Sequence, residues 1–425
     1  WHTPMVEFKR GVVYDDGRLD LCKMVVGPTH IEKLLDALEG NTVVTQFLLG
    51  NNVMSTTGAR RVARFIADHP ERIETWYLAG NHIRAPAFRL LVDAMVQSPR
   101  ITNVWLKRNP LTPESVPDVV RLITQTPNLR TLDLENTELG DEGVARIMRE
   151  ITGKALPLRN LYLNANGVGE NAAAALGAYL AHPLCALESL YLDSNPLGDA
   201  GALHLAAALA SKSNTRSLRR LALSSTNLTS TGASALFAAA TMHPRLMSLN
   251  LDASVTMRVH GQRPNLLDDG AVPALVGLVR RTPALRHLQL GRTAFSAEGL
   301  AAVRAAVVDA SSNNSRNTPP NTSNLCIFRA YRWRDDARGA STSNVDFGDL
   351  RAALATNVRR LYGPAAGEDY AAFLRDSLAA RFLYSPEDVR LIDSVYRTRD
   401  QRGAGAGEQF WRAGDEVWGL VDADV

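Results

Sequence analysis

Four consecutive copies of one pattern decide the fold: LRTLDLENTEL at residues 129–139, LRNLYLNANGV at 158–168, LESLYLDSNPL at 187–197 and LRRLALSSTNL at 218–228. Each copy contains two leucines separated by one residue, which is typical of a short strand with both leucines on one face. An Asn or Thr follows the second of these leucines by three residues, where its side chain can bond the backbone of the turn after the strand. The pattern therefore predicts a repeated strand and turn.

Weaker copies extend the pattern on both sides, so that ten units share one period between about residues 18 and 310. The residues in the polar slot are Met24, Asn52, Asn81, Asn109, Thr137, Asn166, Asn195, Thr226, Ser254 and Thr293. Their spacing is 28 to 31 residues except for the last interval of 39, which predicts an insertion of about ten residues in the ninth unit. Regular spacing over so many copies indicates a solenoid.

The remainder of each unit predicts a helix. The stretch GDEGVARIMREI at 140–151 places Val144, Ile147, Met148 and Ile151 at helical spacing on one face. One leucine slot holds Trp76, which we expect in the core. The chain therefore alternates strands and helices.

A unit of 28 or 29 residues with a full helix resembles the ribonuclease-inhibitor subfamily of leucine-rich repeat proteins. The resemblance implies an α/β solenoid, or horseshoe, with a parallel sheet on the concave face and helices on the convex face. The best-known member of that subfamily is rich in cysteine, whereas this chain has three cysteines. The identity of a partner is therefore not carried over.

The ends and insertions differ from the repeats. Residues 1–17 alternate apolar and polar side chains around Arg10 and Gly11, which predicts a hairpin that caps the first unit. Residues 311–324 are almost wholly polar and predict a flexible loop, as does the insertion at 256–266.

A different region occupies residues 325–425. It opens with LCIF, which predicts one last strand on the sheet, and continues with helical patterns at 346–362, 366–382 and 386–399. We expect a mainly helical capping region. The string Arg329, Tyr331, Arg332, Trp333 and Arg334 could stack on nucleic-acid bases, but acidic residues follow it, and packing onto the last repeat is the preferred interpretation.

Composition excludes several classes of protein. The 47 Lys and Arg residues against 44 Asp and Glu give a net charge of +3, so the surface is mixed in sign rather than shaped for nucleic acid. The cysteines Cys22, Cys185 and Cys326 form no metal-binding or disulfide spacing, which favours a reducing, cytoplasmic compartment. No apolar run reaches the length of about 18 to 20 residues that a membrane helix needs.

No established catalytic or phosphate-binding motif occurs in a suitable context, so we predict no catalytic residue, no metal and no cofactor. Asp133 and Glu135 are two residues apart on one strand face and formally suit a carboxylate pair. They lack a third ligand or an apolar pocket in the pattern. The sequence therefore predicts a protein that is not an enzyme.

A binding face follows from the alternation of side chains along each strand, because the residues beside the two leucines should face solvent. The column between the leucines reads Asp20, Leu48, Tyr77, Trp105, Asp133, Tyr162, Tyr191, Ala222, Asn250 and Gln289. Leu48, Tyr77 and Trp105 should stand side by side, and Tyr162 and Tyr191 should form a second pair beyond Asp133. Exposed Tyr and Trp typically anchor protein interfaces, although a ladder of aromatic rings can instead stiffen a sheet.

The predicted partner-binding residues combine this column with its charged neighbours. They are Leu48, Tyr77, Trp105, Lys107, Arg108, Asp133, Glu135, Tyr162, Tyr191 and Asp193. The acidic members, with Asp252, would suit a basic partner, as the resemblance implies, or would simply be solvated.

The leading hypothesis is a non-enzymatic module that binds a partner protein through the concave face, as an inhibitor or a scaffold. One alternative is a GTPase activator of the same repeat type, for which Asn51, Arg84 and Arg108 are analogues by location only. Another is the recognition part of an immune sensor or effector. The expected partner is a protein, and neither a membrane nor a nucleic acid is expected.

Overall fold

The computed structural model describes residues 5–8, 11–211, 217–241, 243–252, 261–312, 323–332 and 348–378. Only the backbone is described for residues 5–8, 312, 331–332 and 375–378. The residues outside the described ones include Ser254, Trp333, Arg334, the predicted helix at 386–399, and residues 256–260 and 313–322 of the two predicted loops. The described residues fall into two compact units, one ending at Asn166 and the other beginning at Gly167.

The described residues of the first unit form eight strands and five α-helices. The strands are β1 (Met5–Phe8), β2 (Gly11–Tyr14), β3 (Arg18–Asp20), β4 (Gln46–Leu48), β5 (Thr75–Tyr77), β6 (Asn103–Trp105), β7 (Thr131–Asp133) and β8 (Asn160–Tyr162). The helices are α1 (Gly27–Ala37), α2 (Ser55–Asp68), α3 (Ala85–Met95), α4 (Val116–Gln125) and α5 (Gly140–Ile151).

The strands of the first unit lie side by side in chain order. β1 and β2 form an antiparallel hairpin, and β2 pairs antiparallel with β3, as the pattern at the start of the chain predicts. From β3 to β8 every pairing is parallel, and the last residues of the strands are direct neighbours. This register places the predicted central column side by side across the sheet.

The middle residue of each strand faces the helices. Trp76 of β5 is 1% exposed, and its ring lies 5.5 Å from Phe47 and 6.4 Å from Phe65 of α2. The prediction that Trp76 belongs to the core is confirmed. Burial of these large rings between the sheet and the helices stabilises the unit, because each such side chain removes a large apolar area from water.

The second unit begins with a helix and continues the alternation. Its strands are β9 (Ser189–Tyr191), β10 (Arg220–Ala222), β11 (Ser248–Asn250), β12 (His287–Thr293) and β13 (Ile327–Arg332). Its helices are α6 (Glu170–Ala181), α7 (Gly198–Ala210), α8 (Ser230–Thr241), α9 (Val272–Arg281), α10 (Ala297–Ser312), α11 (Gly348–Tyr362), α12 (Pro364–Glu368) and α13 (Tyr370–Leu378).

The five strands of the second unit pair in parallel and in chain order. The strand predicted at LCIF is confirmed, because β13 pairs with β12 in parallel. The described residues after β13 form the helices α11, α12 and α13. Both units therefore have the α/β repeat-solenoid architecture that the sequence predicts, followed by a helical C-terminal region.

The polar slot joins each repeat to the one before it. Asn166 accepts hydrogen bonds from the backbone N–H groups of Thr137 (3.2 Å) and Leu139 (3.3 Å). Its side-chain amide donates to the carbonyl oxygens of Leu134 (2.7 Å) and Asn164 (3.2 Å). Asn81 and Asn109 form equivalent bonds in earlier repeats. The slot thus satisfies buried backbone groups that would otherwise cost free energy.

The slot of the ninth unit is filled by Asn265, so its assignment to Ser254 is wrong. Asn265 accepts hydrogen bonds from the N–H groups of Thr226 (2.9 Å) and Leu228 (3.1 Å). It donates to the carbonyl oxygens of Leu223 (2.8 Å) and Leu251 (2.9 Å), as the other slot residues do. The additional residues therefore lie between β11 and this Asn, and the sequence returns to the ordinary spacing of 28 residues at Thr293.

Candidate functional site

The open face is the side of each sheet that points away from the helices. Because side chains alternate along a strand, the first and third residues of each strand lie on this face while the middle residue points to the core. The residue two positions after the third one continues the same face at the end of the strand. All ten predicted partner-binding residues except Arg108 hold such positions, and Arg108 lies in the turn that follows.

Three apolar residues of the open face are buried, contrary to the prediction. Leu48, Tyr77 and Trp105 are 0%, 2% and 4% exposed, so the expectation that they face solvent is wrong. The rings of Tyr77 and Trp105 lie 5.9 Å apart and cover one another across adjacent strands. Val12 and Tyr14 of the N-terminal hairpin complete the same apolar cluster. Large rings on strands about 4.8 Å apart leave little area for water when a hairpin packs beside them.

Tyr162 forms the outer edge of this cluster. Its ring lies 5.3 Å from Trp105, although the strand β7 runs between their two strands. Unlike Trp105, Tyr162 is only half-buried. It therefore presents part of an aromatic surface to solvent while its inner edge rests on a buried ring. The expected pairing of Tyr162 with Tyr191 joins residues of different units and stays a prediction.

Asp133 lies on the strand between Trp105 and Tyr162. It is also buried, and its side chain stabilises the turn after its strand. It is 1% exposed, and its carboxylate accepts a hydrogen bond from the N–H of Glu135 (2.9 Å). Asp20 makes the same contact with the N–H of Cys22 (3.0 Å) in the first repeat. The expectation of a solvent-facing Asp133 is therefore wrong, because short carboxylates in this column bond the backbone two residues ahead.

The charged residues at the strand ends of the first unit do reach solvent. Arg108 is exposed, and Lys107 and Glu135 are half-buried. Glu135 accepts a hydrogen bond from the side-chain amide of Asn164 (3.3 Å), which fixes its position beside the turn. Lys107, Arg108 and Glu135 thus give the edge of the open face both signs of charge.

In the second unit, Tyr191 and Asp193 are half-buried on the open face. The carboxylate of Asp193 accepts a hydrogen bond from the N–H of Ser224 (2.6 Å). Farther along the sheet, Gln289 of β12 donates to the carboxylate of Asp252 (2.5 Å). These bonds hold polar side chains in fixed positions on the open face of the second unit, whereas Ala222 in the central column is buried.

The first residues of the strands form another column of polar side chains on the open face. The sequence analysis did not predict this column, because it compared only the residues between the leucines. Arg220 is buried and donates to the hydroxyl of Ser189 (3.0 Å). Ser248 and the Nδ1 atom of His287 lie 2.9 Å apart. Burial, together with the positive charge of Arg329, lowers the pKa of His287 from 6.5 to about 4. The sequence signal for this column is a polar residue directly before the middle residue of each strand.

The lowered pKa of His287 predicts an acid-dependent loss of stability. His287 stays neutral in the folded chain while an unfolded His gains a proton near pH 6.5, so the unfolded state binds more protons between these two values. We expect the free energy of unfolding to fall as the pH drops from 6.5 towards 4. In urea titrations, His287→Gln should show a smaller fall than the unaltered chain. Equal slopes in the two proteins would contradict the assigned burial.

The geometry of Asp133 and Glu135 does not support a catalytic or metal-binding carboxylate pair. The Asp133 carboxylate bonds the Glu135 backbone, and Glu135 turns towards Asn164. Among the described residues, no group of three or more His, Cys, Asp or Glu side chains could hold a metal ion. Within the same residues, no helix has the length and apolar composition to cross a membrane.

Comparisons with known proteins agree with the repeat architecture. A family model described as "Leucine Rich repeat" matches residues 125–148, 184–206 and 215–237. The NACHT, LRR and PYD domains-containing protein 5 of Mus musculus is 26% identical in a match that covers 35% of this chain and 15% of that protein. The ribonuclease inhibitor of Sus scrofa is 25% identical, covering 35% of this chain and 30% of the inhibitor.

The chain spans less than a third of the length of either relative. The match to a chain in a crystal structure of a TLR13–ssRNA13 complex covers 63% of this chain and 31% of that chain, at 15% identity and a TM-score of 0.33. Leucine-rich repeat proteins are protein-binding modules. The repeat period, the parallel strands, the Asn slot and the matched sequences together identify the chain as a leucine-rich repeat protein of the ribonuclease-inhibitor-like type.

Proposed function

We propose that the chain is a non-enzymatic module that binds a partner protein through the open face of its repeats, as an inhibitor or a scaffold. The observation that carries the proposal is the half-exposed position of Tyr162 and Tyr191 on that face. Tyr combines a large apolar ring with a hydroxyl group, and it is enriched among the residues that dominate binding energy.

The surroundings of the two tyrosines suit an interface. On the first unit, Lys107, Arg108 and Glu135 would form a polar rim for Tyr162, and on the second unit Asp193 would do so for Tyr191. The buried residues Leu48, Tyr77 and Trp105 support this face from within and are not proposed as direct contacts. Trp105 instead fixes the ring of Tyr162, so that a partner meets a preorganised aromatic surface.

We further propose a reducing, cytoplasmic location. Cys22, Cys185 and Cys326 are all buried, and burial raises the pKa of the Cys326 thiol to about 12. A buried, protonated thiol is inert and needs no disulfide partner. The proposal would fail if the native protein were recovered from an oxidising compartment.

Affinity purification followed by mass spectrometry tests the proposed function. Three baits should be compared: the unaltered chain, a Tyr162→Ala/Tyr191→Ala variant, and an Arg149→Ala variant altered on the exposed side of α5. We expect a partner protein to be recovered with the first and third baits and lost with the second. A partner recovered equally with all three would place binding outside the open face.

A GTPase activator is a second candidate function, because Arg84 at the start of α3 and Arg108 in the turn after β6 are exposed, and no ion pair of either is found among the described residues. If the captured protein is a small GTPase, its rate of GTP hydrolysis separates the two functions. Acceleration that disappears in Arg84→Ala or Arg108→Ala would support activation, whereas binding without acceleration would support a scaffold. The recognition part of an immune sensor is compatible with the same binding face.

A further inference from the structure

A cavity of about 380 Å³ lies in the second unit, beside the last strand β13. Residues of β13 form one wall, and side chains of α10, α11 and α13 form the others. Its volume is within the range of about 300–1,000 Å³ that holds small-molecule ligands. The cavity is therefore large enough for an organic ligand rather than for a single ion or water.

The walls of this cavity are mostly apolar. The aliphatic and aromatic lining includes Leu300, Ile327, Phe328, Leu350, Leu354 and Tyr370. The Tyr370 hydroxyl donates a hydrogen bond to the carbonyl oxygen of Cys326 (2.8 Å), so its ring is held in place against β13. Such walls favour a ligand with an apolar body.

The polar lining carries only positive charge. Arg304, Arg329 and Arg351 line the cavity, and none of its described lining residues is acidic. Arg304 is neutralised, because its Nε donates to the carboxylate of Asp349 (2.8 Å) outside the lining. Arg329 and Arg351 have no ion pair among the described residues.

The charges of both guanidinium groups act on Tyr370. The Arg351 guanidinium carbon is 6.0 Å from the centre of the Tyr370 ring. Arg329 is half-buried, and its charge is felt by both His287 and Tyr370. A half-buried cation is costly where no counter-ion comes from the part of the chain that the structure describes, and an anion that enters the cavity would relieve that cost.

We propose that this cavity binds an amphiphilic carboxylate, a medium-length hydrocarbon acid whose head meets Arg329 and Arg351 and whose chain packs on the apolar wall. Carboxylates match the planar, bidentate donors of arginine. The volume, near the lower end of the ligand range, favours a medium chain over a long one. The site is separate from the proposed protein-binding tyrosines and does not depend on that function.

Calorimetric titration of the full chain with decanoate tests the proposal. We expect saturable binding with one site per chain, and at least a tenfold higher Kd in Arg329→Gln/Arg351→Gln. The single variant Arg351→Gln, at an exposed position, should raise Kd in the same direction without a risk to folding. Arg245→Gln is the matched control, since Arg245 is exposed on the same unit and does not line the cavity.

Three further probes of equal chain length define the head group. Decanol should bind more weakly than decanoate and be indifferent to the arginine substitutions, and decyltrimethylammonium should not bind. Tighter binding of decyl phosphate than of decanoate would overturn the carboxylate assignment. Absence of saturable decanoate binding, or an unchanged Kd in the folded double variant, would overturn the site itself.

Discussion

Replacing Trp105 by Ala is expected to lower the free energy of unfolding by about 3–5 kcal/mol, as is usual when a large buried ring is removed. Trp105 is 4% exposed and contacts both Tyr77 and Tyr162, so its loss would leave a cavity that the strands cannot close. Urea unfolding followed by circular dichroism measures the change.

Arg108→Ala is the matched control, because Arg108 follows the same strand and is exposed. Its expected effect is within about 0.5 kcal/mol. If Trp105→Ala and Arg108→Ala were equally mild, Trp105 would lie on a solvated surface, as the alternation of the strand alone suggested, and the aromatic cluster would not support the sheet.

Asn265→Leu should cost about 3 kcal/mol or more, since the loss of one partner leaves buried backbone groups unsatisfied at roughly 1–3 kcal/mol each. Asn265 bonds the N–H groups of Thr226 and Leu228 and the carbonyls of Leu223 and Leu251. In a repeat protein, such a loss should also weaken the neighbouring repeats.

Arg263→Leu is the control for this substitution, because Arg263 is exposed two residues away on the same returning segment. We expect it to change the free energy of unfolding by less than about 0.5 kcal/mol. An Asn265→Leu protein as stable as the Arg263→Leu protein would contradict the assignment of the ninth polar slot.

The fold was predictable because the same physical requirement recurs in every unit. Two inward leucines and one polar side chain that bonds the turn leave a period that is visible without any structure. The hairpin before Arg18, the core position of Trp76 and the strand at LCIF followed from local alternation and are confirmed. The place of the insertion was not predictable, because Ser254 and Asn265 both suit the slot chemically.

The candidate site was only partly predictable. Alternation correctly placed Tyr77 and Trp105 next to each other on the face opposite the helices, and the register confirms this. Alternation could not show that Tyr77 and Trp105 are buried, because their burial depends on Val12 and Tyr14 of the N-terminal hairpin. The cavity beside β13 could not be predicted either, because its walls are formed by residues that lie far apart in the sequence, such as Leu300 and Tyr370.

The dissociation constant of the Tyr162→Ala/Tyr191→Ala variant for the captured partner decides whether the open face is the binding surface. It should be measured where circular dichroism shows that the variant is folded, with the unaltered chain and Arg149→Ala measured in parallel. We expect binding to weaken by at least about 2 kcal/mol, roughly thirtyfold, in the tyrosine variant alone. An affinity equal to that of the unaltered chain would contradict a binding face on the open side of the sheet.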